Sequence, residues 1–293
     1  MANIRIYNRN AISTAILSGG SWMASLPLEN LREQRPKLKA RSTNTVTSST
    51  QFRVELTAPL TVLGIQLVST NLSSAAQYKI TWYEDATFTT VVDTTDWQSV
   101  GVTIDWSETD DWLDWLDPDF WLGATPFVDP DNQGRDIRYT FAVETSVQYL
   151  KIEIDDGSNP DGFVEIGYGY FGRAFIPSTN IDFGASFGRD SLTSVQETPG
   201  GSKFFNRRGS RKRLTIAWSA LPSAEVLGEI DDISQIHDID LPVYVDLDPD
   251  NLTTGIKTAF LATITKIPDY QLVAVFFGDD YGVSTGFEFQ QVI

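Results

Sequence analysis

The sequence contains no cysteine and a single histidine, His237, and each shortage closes off chemistry. Without cysteine there can be no disulfides, thiolate zinc sites, iron–sulfur clusters or cysteine nucleophiles. With one histidine, a multi-histidine metal centre is impossible within one chain, and a serine–histidine–acid triad has a single candidate base. That histidine lies in EIDDISQIHDID, a carboxylate-rich stretch that reads as a helix end or loop and suits a structural or solvated role. Long apolar runs are missing too. None approaches the roughly 20 residues of a spanning helix, so no membrane insertion is expected. The opening MANIRIYNRNAISTAILSGG has only a short apolar patch, Ala11 to Leu17, and no convincing cleavage site, so no signal peptide is expected either. There is no GxSxG and no P-loop. The one GxGxxG match, GYGYFG at Gly167 to Gly172, sits inside an aromatic strand pattern with no helix after it. On these grounds the chain is expected not to be an enzyme.

What is present in excess is negative charge, unevenly spread. The net charge is −17 over 293 residues. Residues 84 to 165 hold 20 Asp and Glu against three basic residues, Arg135, Arg138 and Lys151. Residues 1 to 60 reverse the balance, with eight Lys and Arg against three Glu, and KFFNRRGSRKR, Lys203 to Arg213, holds six basic residues and no acid. An overall acidic chain is a poor general nucleic-acid binder, because phosphate attraction needs a basic face. Segregated charge suits contacts between protein surfaces of opposite sign.

The pattern is of short apolar runs rich in Val, Ile, Thr, Phe and Tyr, divided by Gly, Asn, Asp and Pro, and predicts an all-β chain. Strands are expected at 52–57, 61–69, 77–83, 97–104, 136–143, 147–154 and 163–175, a number and spacing that suit a jelly-roll-like β-sandwich. In QYKITWY, Tyr78, Ile80 and Trp82 fall on one face and Lys79, Thr81 and Tyr83 on the other, as a half-buried antiparallel strand requires. Pro177 reads as a hinge. After it come strands at 181–189, 213–218, 242–246, 258–265, 272–277 and 286–292, a hairpin around Gly200 and Gly201, and one helix over 223–236. That helix has Pro222 and Ser223 at its start and Glu225 and Glu229 early in it, as the helix dipole favours. The expected organisation is an N-terminal arm over 1–42, a sandwich over 43–176 with an acidic insert at 105–135, and a smaller β domain with one helix over 177–293.

Three groups of residues invite function. The insert DWSETDDWLDWLDPDFWLG, 105–123, packs Trp106, Trp112, Trp115, Phe120 and Trp121 among seven carboxylates. Its rings could anchor a contact with another protein, pack on their own domain, or stack on sugar faces while carboxylates accept hydroxyl hydrogen bonds. The basic group Lys203, Arg207, Arg208, Arg211, Lys212 and Arg213 reads as a protein contact or a solvated hairpin more readily than a nucleic-acid contact, although Phe204 and Phe205 lie where bases could stack. Calcium has weak candidates in acidic turns: Asp129 and Asp131 in DPDNQG, the stretch DDGSNPDG at 155–162, and Asp246, Asp248 and Asp250 in DLDPDN. None supplies a full twelve-residue loop with its bidentate Glu, and Asp, Asn, Pro and Gly are also what turns are made of. A carboxylate pair for glycoside hydrolysis has no identifiable members.

Four segments, GGSWMASLPLENLREQRPKLKARS (19–42), LVSTNLSSAAQYKITWYED (67–85), VVDTTDWQSV (91–100) and PVYVDLDPDN (242–251), resemble the minor tail proteins of the tail-tip region of long-tailed bacteriophages. Residues 43–175 also resemble galactose-binding-like jelly-roll modules. The resemblance implies a virion component near the distal end of the tail, assembled in the host cytoplasm, arranged with copies of itself in a ring and touching other tail proteins. It suggests no catalytic residues. The alternative is a non-catalytic carbohydrate-binding module that contacts glycans of the host envelope.

Overall fold

The computed structural model describes residues 3–100, 136–199, 201–250, 258–277 and 280–292. The chain divides into two compact units, residues 11–171, and residues 1–10 together with 172–293. Antiparallel sheets dominate both, with one clear helix in the second.

The first unit is a β-sandwich built on a seven-stranded sheet. Its strands run in the order Tyr168–Gly172, Phe52–Val68, Ile137–Asp155, Gln77–Tyr83 and Val91–Thr94. Ile16–Ser18 pairs beside Phe52–Val68, and Gln98–Ser99 beside Gln77–Tyr83. Two strands were expected at 52–57 and 61–69, and two more at 136–143 and 147–154. Each pair is one long bent strand, of 17 and 19 residues. The reason is local. The pairing of these two strands shifts register between Glu55 and Leu60 and again between Val62 and Gly64. Pro59, which has no N–H to give a ladder, falls inside the first shift. Residues from both sides of the shifts, including Phe52, Val54, Ile65, Leu67, Leu150 and Ile152, enter one core. The glycines of GYGYFG serve packing: a Cβ on Gly169 would stand 2.5 Å from Ile12 Cδ1, and one on Gly167 would stand 2.2 Å from the Pro36 carbonyl oxygen.

In the second unit an eight-stranded sheet runs Ala174–Phe175, Arg5–Tyr7, Val243–Asp246, Ala259–Lys266, Asp280–Gln291, Ser210–Pro222 and Ser186–Ser191, with Gln271–Phe277 paired beside Asp280–Gln291. The sequence pattern places Arg5–Tyr7 in the N-terminal arm expected over 1–42. It is instead an interior strand, with Ile6 opposite Phe175 on one side and Val245 on the other. Ile4 and Ile6 are fully buried with Leu214, Trp218, Val245 and Phe289, and this burial holds the strand in place.

The helix runs continuously from Ser223 to His237, with a π-helical turn over Val226–Ile230. It buries Val226, Ile230 and Ile233 against the sheet. Asp280 caps its start: one carboxylate oxygen accepts from Ser223 Oγ and the other from Ala224 N–H at 3.0 Å. Those bonds, the Ser223 hydroxyl first, hold the Asp280 carboxyl below its ordinary pKa. Among the described residues, no helix is long and apolar enough to cross a membrane.

Candidate functional site

Residues 186–215 form a long two-stranded ribbon. At its root, Ser186–Ser191 pairs with the start of Ser210–Pro222, the sheet strand, and beyond a short break Ser194–Glu197 pairs with Lys203–Asn206. The sequence signals each part. Gly201 takes a φ of +81° in the turn, where Gly201 N–H donates to Thr198 O and Thr198 N–H to Ser202 O, both at 2.9 Å. At the break, Leu192 N–H donates to Gly209 O at 3.2 Å, and Arg208 N–H donates to Thr193 Oγ1 at 3.2 Å, so the ribbon continues through it.

Beyond the break the ribbon has no core. All eight residues of its two distal strands are exposed. Val195 stands opposite Phe205 on one face, and Gln196 opposite Phe204 on the other. Phe204 and Phe205 are 62% and 65% exposed, so neither face is packed down on the unit that carries it. Such a ribbon is marginally stable alone, and exposed phenylalanines on it are costly in water.

The six basic residues of this region split into two groups. Lys203, Arg207 and Arg208 lie on the exposed distal part and make no ion pair among the described residues. The other three work at the root. Arg211 Nη1 donates to Gln290 Oε1 at 3.0 Å, Lys212 Nζ donates to the Ala259 carbonyl at 3.2 Å and lies 5.5 Å from the Phe260 ring centre, and Arg213 stands 3.8 Å from Asp190. The run is therefore half anchor and half free surface.

The other predicted residues fall as follows. Trp106, Trp112, Trp115, Phe120 and Trp121 lie outside the described residues, as do Asp129 and Asp131. Asp246 is a buried strand residue opposite Arg5, and Asp248 and Asp250 follow in the turn. Among the described residues no group of three or more His, Cys, Asp or Glu side chains could hold a metal ion, so Asp246, Asp248 and Asp250 do not form such a site. Asp156, in DDGSNPDG, spends its oxygens on Ser73 N–H at 2.9 Å, the Ser73 hydroxyl and Asn159 Nδ2 at 2.8 Å, which close the loop. His237 is buried, and its Nε2 donates to the Asn8 carbonyl. Burial lowers its pKa, which keeps the ring neutral and in a structural role.

A second exposed constellation escaped the sequence reading. On the outward face of the sandwich, Ile16, Glu55, Tyr149, Tyr83 and Val91 stand opposite one another across five strands. Phe88 packs edge-on against Tyr83 and Tyr149, with centroids 5.3 and 5.9 Å away, and the Arg53 guanidinium lies 4.8 Å from its ring centre. The alternation in QYKITWY already placed Tyr83 outward. The local turn over 85–90 brings Phe88 to it, and nothing local in the sequence brings Tyr149.

No protein-family model matches the chain, and no curated protein matches it. Among solved structures it is similar to CBM32-1 from a family 31 glycoside hydrolase of Clostridium perfringens, at 12% identity over 57% of this chain and 99% of that one, with a TM-score of 0.35. It is also similar to the family 32 CBM of C. perfringens NanJ in complex with galactose, at 12% identity over 57% and 98%, with a TM-score of 0.36. A third, CpGH89CBM32-5 of C. perfringens in complex with GalNAc-beta-1,3-galactose, shares 7% identity over 56% and 100%, with a TM-score of 0.37.

Proposed function

We propose that the chain is a non-catalytic structural component of a phage tail tip, assembling with copies of itself as a ring around the distal tail and contacting neighbouring tail proteins. The observation that carries this reading is the ribbon over 191–210. It exposes Phe204, Phe205 and Val195 beside Lys203, Arg207 and Arg208, and has no core of its own. Aromatic and arginine side chains are the usual anchors of protein interfaces, and a second protein surface is what would bury these. Charge names a partner. Residues 11–171 hold 23 Asp and Glu against ten Lys and Arg, a net of −13, whereas the 191–210 ribbon holds three cations, Lys203, Arg207 and Arg208, against one acid, Glu197. A ring of identical subunits uses a head-to-tail contact in which one surface meets a different surface of its neighbour, and opposite charges fix that register. The tail-protein resemblance of 19–42, 67–85, 91–100 and 242–251 supports the same setting.

Imaging of purified particles tests the proposal. A low-copy ring at the distal tail, with the 191–210 ribbon against an adjacent acidic surface, is the expected result; absence of the chain from purified virions would overturn it. The second reading, a non-catalytic module that binds glycans of the host envelope, is favoured by a separate observation, the half-exposed aromatic row on the sandwich.

A further inference from the structure

The outward row on the sandwich is held more firmly than an incidental surface cluster. Phe88 has a φ of +58°, in the left-handed region that a bulky residue enters at a cost. Asp85 fixes the turn that carries it, accepting from Thr89 N–H at 2.9 Å, Thr89 Oγ1 at 2.7 Å, Thr90 N–H at 2.9 Å and Thr87 Oγ1 at 3.1 Å. The turn thus presents a phenylalanine across two tyrosines that face each other on neighbouring strands. The three rings are half-buried, with the exposed Ile16 and Val91 at the ends of the row.

The geometry points to a binding platform for a short neutral oligosaccharide, with Tyr83, Phe88 and Tyr149 as the stacking surface and Arg53 and Glu55 as its hydrogen-bonding groups. Three features favour a sugar chain over a protein. Five strands at about 4.8 Å give a row about 19 Å long. One or two side chains wide, it covers on the order of 200–300 Å², well short of the ~800 Å² per partner in a specific protein interface. The charges on this face also compensate. Arg53 stands opposite Lys151 and Lys79 opposite Glu153, with Glu55 in the row of the two tyrosines, and Lys151 Nζ bonds Glu153 Oε1 at 2.8 Å. In a unit of net −13 this is a nearly neutral strip. It suits a ligand without charge, whose apolar ring faces lie on aromatic side chains while its hydroxyls donate to Glu55 and accept from Arg53. Finally, ligands of this kind need rings that are preorganised, which the Asp85 turn supplies. The platform uses no residue of the tryptophan-rich insert or of the 191–210 ribbon; it rests on the glycan reading above and not on ring assembly.

The test titrates the full chain with a panel of neutral tri- and tetrasaccharides of galactose, glucose and N-acetylglucosamine, followed by saturation-transfer NMR. At least one should bind with a Kd on the order of 0.1–1 mM. Phe88→Ala and Tyr149→Ala should each weaken it about tenfold or more, while Tyr149→Phe keeps the ring and the affinity. Arg53→Ala, at an exposed position that carries little folding risk, should weaken it about threefold. Trp112→Ala and Trp115→Ala should leave it unchanged. The proposal is overturned if no saccharide in the panel binds at ~5 mM, if binding survives the Phe88, Tyr149 and Arg53 alanine variants, or if it is lost with the tryptophan substitutions.

Discussion

Two exposed aromatic groups distinguish this chain, and they are supported in opposite ways. Phe204 and Phe205 ride on a two-stranded ribbon whose eight paired distal residues are all exposed. Tyr83, Phe88 and Tyr149 are seated on a seven-stranded sheet whose other face is packed with Trp82, Leu150 and Ile80. The first arrangement has no packing of its own; the second is packed from below and leaves three half-buried rings and the Arg53 guanidinium at its surface. On the two proposals above, a side chain of the same type would serve a large partner in one place and a small ligand in the other, according to what lies under it.

The largest expected effect breaks the first half of the comparison. Replacing residues 192–209 by a two-glycine turn should abolish incorporation into particles, scored by imaging or by immunodetection in purified virions, yet move the thermal midpoint of the free chain by only a few degrees. A midpoint drop of more than about 10 °C would show that the ribbon supports its own unit. Next, Phe204→Ala with Phe205→Ala should weaken self-association about 100-fold by sedimentation, taking about 3 kcal/mol for two interface anchors. Stability should change by less than ~0.5 kcal/mol, because neither ring is buried. Smaller again, Phe88→Ala should destabilise the sandwich by about 1 kcal/mol in denaturant melts, through loss of two edge-on ring contacts. An effect on stability from the ribbon substitutions that exceeds this one would reverse the comparison.

The smallest effect concerns pH and separates the two units. The only histidine belongs to the second unit, and burial lowers its pKa. The unfolded chain therefore takes up the proton first. The stability linked to His237 is present above the unfolded value of about 6.5 and is lost as pH falls towards the lowered folded value. Between pH 7 and pH 5 the second unit should weaken more in the wild type than in a His237→Gln variant, in urea melts at each pH. A variant that loses as much as the wild type would sink this assignment.

Several elements were legible because their signals are local. The helix over 223–237 announces itself through Pro222, Ser223 and the early glutamates, and the observed helix extends only one residue beyond the predicted end. The basic run and its glycines announce a hairpin, and the inward face of QYKITWY was read directly from alternation. The sequence is silent where partners are remote. Gln290 and Gln291 take Arg211 and Lys212 into the sheet from 79 residues away, so the run could not be divided into root and tip. The strands expected at 52–57 and 61–69 are one, because Pro59, which cannot join a ladder, falls in a bulge of a longer strand. Phe88 joins Tyr83 and Tyr149 only through a left-handed backbone that alternation does not foresee.

The interior position of Arg5–Tyr7 has a consequence for how the molecule is made. Its two neighbours in the sheet are Ala174–Phe175 and Val243–Asp246, so the strand emerges from the ribosome about 240 residues before its later partner. At about 5–20 residues per second that is a wait on the order of 12–50 s. During it the apolar Ile4 and Ile6 lack at least one of their two flanking strands, while the sandwich, encoded entirely within the interval, can already fold. The biosynthetic order is thus inverted for this strand: it is made before the sandwich and completes its pairing after it.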